Sequence, residues 1–149
     1  MDNVTHSLVG YALGESVYRM RKREGRPPLF HAGLWFTSWV ANNAPDLDYL
    51  YYHLLQGDRL DVLLNHRGFT HTFIAAIPQV IVALFPMWLL SRFAKIKFDR
   101  YEWGCLFFVA VLGTAVHIGL DSLNSYGVHP FWPWSNKWFY SDLVFIVER

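Results

Sequence analysis

Cysteine is the scarcest resource of this sequence: Cys105 stands alone among 149 residues, inside an apolar run. A single thiol excludes an intramolecular disulfide and any Cys-x-x-Cys zinc or redox motif, so a metal held by this chain has to use His and carboxylate ligands. Charge is scarce too. Asp, Glu, Lys and Arg make up 17% of the residues and sum to +1, which provides no overall basic field for a nucleic-acid partner. The opening stretch Met1-Asp2-Asn3-Val4-Thr5-His6 lacks the basic n-region and cleavage site of a secretory signal, so it is expected to stay in the mature protein with His6 available for chemistry. The sequence has no internal repeat and no low-complexity segment.

What is abundant is apolar surface. Hydrophobic residues reach 53% and aromatic residues 18%, with seven Trp and eight Tyr, an excess that suits rings placed at the boundary of lipid and water. The length suits one domain over 1–149. From Phe73 to Leu90 there is no charged residue, and a helix over 73–90 spans about 27 Å, close to the roughly 30 Å of bilayer hydrocarbon. A second such stretch covers 103–120. Pro78 and Pro86 would damage a soluble helix, but within a bilayer neighbouring helices can satisfy the freed backbone groups.

Two more helices precede these. Asp2 or Asn3 can cap a first one reaching about Tyr18, with Gly10, Leu13 and Val17 on the face of His6. A second fits 29–42, carrying Trp35, Phe36, Trp39 and Val40. Pro45 then reads as the first position of a short helix ending at Gly57. The remainder, 122–149, is rich in Trp, Tyr and Pro and reads as a loop followed by a short apolar segment from Leu143.

Followed as an antiparallel up-and-down bundle, the four long helices sort their polar residues by end. Arg19, Arg21, Lys22, Arg23 and Arg26 join the first two helices, and Arg92, Lys95, Lys97 and Arg100 join the last two. His6, Asp46, Asp48, His66, His71, His117 and Asp121 fall at or near the opposite end. The bias of Lys and Arg toward cytoplasmic loops predicts a cytoplasmic basic end and a non-cytoplasmic His/Asp end.

Each candidate has a plain structural reading beside the chemical one. His117 and Asp121 share one face of an apolar helix, within reach of a common ion, and such a pair near a membrane span is costly unless it has a function. His66 and His71 bracket Arg67-Gly68-Phe69-Thr70. On a continuous helix they would point about 140° apart, so convergence needs a turn, which Gly68 permits and after which Thr70 can cap the next helix. Alone, the pair equally reads as surface His beside a cap. Asp46 and Asp48 alone would be explained by the dipole of a helix N-terminus; lying on different faces, one would bind metal while the other bridges or orients a His. His6 alone is a core histidine. The chemical reading gains from all these residues sharing one end of a bundle deduced without reference to them. Imidazole and carboxylate ligation without thiolate fits Zn first, with Mn or Fe as alternatives, and the number of candidates allows one or two ions. His31 and His53 read as structural, and His129 is left open.

Met1-Asp2-Asn3-Val4-Thr5-His6, Pro45-Asp46-Leu47-Asp48, His66-Arg67-Gly68-Phe69-Thr70-His71 and His117-Ile118-Gly119-Leu120-Asp121, followed by Asn124-Ser125-Tyr126-Gly127, together resemble the YdjM-like family of bacterial membrane-bound metal-dependent hydrolases. The resemblance runs from Met1 to about Val147 and rests on the order and spacing of the fragments. It implies an all-α multi-pass protein of the bacterial plasma (inner) membrane and metal-assisted hydrolysis, with ligands at His6, Asp46, Asp48, His66, His71, His117 and Asp121. It also marks Asp142 as a motif position. A more distant likeness, to the zinc-dependent phospholipase C and P1 nuclease group, suggests phosphoester substrates by analogy. Family members commonly continue with an Asp-Pro and further membrane helices, so this chain is expected to be a short member or an N-terminal fragment of a longer protein.

The expected chemistry is hydrolysis of an ester or phosphoester of a lipid or lipid-linked substrate by a metal-activated water. Asp46 or Asp48 would take the proton and Arg67 would neutralise a phosphate, its plain alternative being a helix-end charge. Two rival classes are a membrane protein whose ion clips helix ends together without catalysis and, less favoured, an ion transporter. The candidates' clustering at one end speaks against a transport relay.

Overall fold

The computed structural model describes residues 3–21, 28–48, 68–93 and 97–143. Four helices carry the fold: α1 (Asn3–Arg21), α2 (Pro28–Asn43), α3 (Phe73–Phe93) and α4 (Arg100–Asp121). Short 3-10 turns at Ala44–Asp46 and Phe69–His71 follow α2 and precede α3. Among the described residues there is no strand, only an isolated antiparallel bridge between Val128 and Phe139. The expected end of a short helix at Gly57 lies outside the described residues.

Contacts between helices fix their directions. Ser7 hydrogen-bonds Asn43, and Tyr18 stacks on His31, so α1 runs against α2. The α4 pairs His117 with Asn42 near its end, while Gly33 of α2 faces Leu106 nearer its start, so α2 and α4 run parallel across the bundle. His71, just before α3, meets His117 and Asp121 at the end of α4, which makes α3 antiparallel to α4. The result is the expected up-and-down bundle, with α2 packed on all three other helices.

Where the elements begin was less legible. The second apolar helix starts at Arg100, ahead of the expected Trp103, because Asp99 and Glu102 form a capping box: the Asp99 carboxylate accepts from Glu102 N at 2.7 Å and Glu102 Oε2 accepts from Asp99 N at 2.7 Å. At the start of α3 the capping hydroxyl belongs to Thr72, which accepts from Ala75 N at 3.2 Å, and not to Thr70. The 3-10 turn through Phe69–His71 delays the helix by two residues, and this hands the cap to Thr72.

On α1 the core face is His6, Gly10, Gly14 and Val17, with Leu13 displaced to a half-buried position. A Cβ on Gly14 would stand 2.8 Å from Leu34 O and 2.9 Å from Trp35 Cα, so α1 and α2 touch backbone to backbone there. A Gly14→Ala substitution is therefore expected to destabilise the protein by about 1–3 kcal/mol of overpacking, less the helix propensity it gains. Gly104→Ala meets nothing within 4 Å and should be neutral or slightly stabilising. Thermal unfolding of both variants in detergent checks this, and equal midpoints would refute the close approach.

The interior changes character along the bundle axis. Toward the basic end it is apolar, built from Val17, Phe30, Leu34, Met87, Leu106 and Val109. Toward the other end it becomes polar, with His6, Asn42, His71, Thr114, His117 and Asp121 all fully buried. The outside of α3 and α4 is apolar. Ile77, Ile81 and Phe85 are 65%, 62% and 54% exposed, and only 28% of the most apolar stretch of α3 and 44% of that of α4 are buried. Both helices are long and apolar enough to cross a membrane, and each leaves an apolar face exposed. Pro78 and Pro86 are accommodated without breaking α3.

Candidate metal centre

The end of α4 supplies His117 and Asp121 from one face, as their spacing requires. The turn after α2 adds Asp46, and the turn before α3 adds His71. Asp46, His71, His117 and Asp121 each aim a ligand atom into one place, and these atoms lie within 4.8 Å of one another. His71 Nε2 is 3.1 Å from His117 Nε2, 3.2 Å from Asp121 Oδ2 and 3.4 Å from Asp46 Oδ1. His117 Nε2 lies 3.6 Å from each of the same two carboxylate oxygens. A tetrahedral ion with bonds of about 2.0–2.2 Å has ligand atoms separated by roughly 3.3–3.6 Å, and five of the six separations in the donor set, at 3.1–3.6 Å, are close to that.

Hydrogen bonds on the far side of each ring say which nitrogen carries the proton. His117 Nδ1 is 2.7 Å from Asn42 O, and a carbonyl can only accept, so Nδ1–H donates. Thr70 Oγ1 donates its one hydrogen to Asp48 Oδ2 at 2.7 Å and therefore accepts, at 3.0 Å, from His71 Nδ1–H. In the neutral rings both Nε2 atoms are then lone pairs, directed at each other and at two carboxylates. Such a gathering of acceptors is repulsive unless a cation, metal or proton, sits among them. Without a metal the cation is a proton: burial opposes a charge on His71, but a protonated Nε2 can donate to Asp121 and Asp46, and this raises its pKa above the ordinary imidazole value. Burial likewise works against ionised Asp46, yet the hydrogen bond from His71 holds its pKa below the usual carboxylate range.

The other expected site residues fall around this group. His6 stacks on His117 with ring centroids 3.9 Å apart and donates from Nε2 to Asp121 Oδ1 at 3.2 Å, touching the centre through that carboxylate. Asp48 is buried one hydroxyl away from His71. His66 and Arg67 lie outside the described residues, as does His53. His31 reaches Glu15 at 2.6 Å and packs between Tyr18 and Trp35, remote from the centre in the contacts it makes. Asp142 is exposed, with φ +52°. His129 leans on Trp138, and burial together with the charge of His71 lowers its pKa.

Three participants escaped the sequence reading. The Asn42 carbonyl is backbone and has no residue-type signature. Thr70 looked like a cap. Gln79, inside an apolar helix, holds the turn by donating to Thr70 O at 2.7 Å; a lone amide in a membrane-length run was the signal available.

An all-helical membrane protein with a buried imidazole and carboxylate cluster at one end of its bundle is the class that fold and site define. Within that class, this chain belongs to the YdjM inner membrane protein family, which it matches over residues 1–149. It is also 27% identical over 144 residues to the uncharacterized protein YfhP of Bacillus subtilis (strain 168), covering 97% of this chain and 41% of that relative. The chain thus spans less than half the length of the curated relative it matches. No solved structure matches it, and neither the family match nor this relative bears out the more distant likeness to the phospholipase C group.

Proposed function

We propose that this protein is a membrane-bound metal-dependent hydrolase acting on an ester or phosphoester of a lipid or lipid-linked substrate. One observation supports it above all: two imidazoles whose Nδ1–H groups are already committed turn their Nε2 lone pairs toward each other at 3.1 Å, flanked by two carboxylates. In this reading Asp46, His71, His117 and Asp121 hold a divalent ion, Zn first. His6 orients Asp121, and Asp48 orients His71. Bound there, the ion supplies Lewis acidity and a water acidic enough to ionise near neutral pH. Asp46 Oδ2 is buried and makes no hydrogen bond among the described residues, which suits it to accept a proton. Arg67 is assigned to the substrate's negative charge. The segregation of basic residues to the opposite end supports a centre on the non-cytoplasmic side.

A second reading is favoured by a specific feature. Four protein ligands would fill all four positions of a tetrahedral ion, and their side chains are at most 8% exposed, as in structural zinc sites, whereas catalytic sites keep a position open. The experiment separates the two. The purified protein in detergent is loaded with Zn, Mn or Fe and assayed on phospholipids and on a soluble phosphodiester. We expect turnover that a chelator removes and metal restores, reduced about 10²–10⁴-fold by Asp46→Asn. Stoichiometric metal without turnover on any ester would establish the non-catalytic clip instead.

A further inference from the structure

Beyond the metal centre, the segment after α4 is an ordered platform that holds large aromatic side chains in the open. Asn124 Oδ1 accepts from Tyr126 N at 2.9 Å and Gly127 N at 3.0 Å, and the chain turns back at Gly127, whose φ is +65°. Val128 and Phe139 exchange both backbone hydrogen bonds, at 3.0 and 2.8 Å. Leu143 N reaches back to Leu123 O at 3.0 Å. An ordinary loop fixed this firmly would use its indoles as core. Here Trp134 is 76% exposed, Leu143 75%, Tyr140 64% and Trp138 49%.

Two observations say what covers them. The first is place. The platform begins where α4 ends, and its Pro130 O accepts from Phe73 N, the first residue of α3, at 2.9 Å. Phe131 packs on Phe73 and Trp132 on Phe69, so the exposed apolar face of α3 runs into the platform without a break. The second is composition. Exposed Asn136, Lys137, Ser141 and Asp142 alternate with the aromatic residues, a mixture that neither hydrocarbon nor water solvates well and that the headgroup layer does. One Lys and one Asp leave no net charge to recruit a charged protein surface.

We propose that this platform is an interfacial docking surface that lies in the headgroup layer of the bilayer, placing the His/Asp centre at the depth of lipid ester and phosphate groups. The proposal rests on α3 and α4 crossing the membrane and is independent of whether the centre hydrolyses anything.

The lone cysteine makes the test direct, because Cys105 is buried and Cys105→Ser provides a label-free background. An environment-sensitive fluorophore is attached in turn to Trp134→Cys, Tyr140→Cys and, as a depth control, Ile81→Cys, in phosphatidylcholine vesicles. The labels at 134 and 140 should be quenched at least about twofold more by nitroxide lipids labelled near the headgroup than by those labelled at the chain end, and the label at 81 should show the reverse order. Quenching at 134 and 140 by aqueous iodide alone, or by no quencher because a partner or a second copy covers them, would overturn the proposal while leaving the label at 81 lipid-quenched. Loss of lipid quenching at 81 as well would instead overturn the membrane placement of α3.

Discussion

Asp121→Asn is expected to lower metal affinity by more than about a hundredfold, beyond the range seen when only an outer-shell partner is lost. Asp121 is the hub of the centre: Oδ2 lies 3.2 Å from His71 Nε2 and 3.6 Å from His117 Nε2, while Oδ1 accepts from His6 at 3.2 Å. An amide keeps the volume and can still accept from His6, so the variant removes one buried charge and little else. His117→Ala should lose metal as completely but is the harsher change. It strands the buried Asn42 carbonyl, at about 1–3 kcal/mol, and removes the ring on which His6 stacks. Metal content after dialysis against a weak chelator gives one readout. Thermal unfolding gives the other: a metal at a hundred times its dissociation constant should stabilise the native protein by about 2.7 kcal/mol and the Asn variant not at all. A variant that keeps its metal and its metal-dependent stabilisation would remove Asp121 from the centre.

Much of this arrangement was written in residue spacing. An absence of charge over two membrane lengths marks α3 and α4, and a His and Asp one helical turn apart can only face the same way, so His117 and Asp121 were legible at once. The convergence of His71 on them followed from bundle topology, since alternating helix direction places the start of α3 beside the end of α4. What escaped reading was set by packing and by backbone. Leu13 is the more apolar residue, yet Gly14 faces α2, because the helices approach closely enough to admit only a hydrogen atom there. Which of Asp46 and Asp48 faces the histidines could not be read either, because it depends on the 3-10 turn through Ala44–Asp46. Asp99 and Glu102 form a capping box just outside the uncharged run, so the absence of charge marks the span of α4 but not its first residue.

Thr70 offers the sharper test, because its role depends on a hydroxyl and on nothing else the side chain does. Its hydrogen goes to Asp48 at 2.7 Å and its lone pair receives His71 Nδ1–H at 3.0 Å, so it passes the polarisation of a buried carboxylate to the imidazole and turns the Nε2 lone pair toward the centre. Thr70→Val keeps the shape but leaves both buried partners without the group between them. Metal affinity, measured by competition with a fluorescent chelator, should fall by about 10–100-fold, as for loss of an outer-shell hydrogen bond to a ligating histidine. Thr70→Ser keeps the hydroxyl and should stay within about threefold of the parent, a rescue that a purely steric role for the threonine would not produce. Nitrogen-15 spectra of labelled His71 read the same property without activity: protonated Nδ1 in the parent and in the Ser variant, a mixture of tautomers in the Val variant. Equal metal affinity in Val and Ser variants would show that His71 is oriented by packing, with Asp48 merely a buried neighbour.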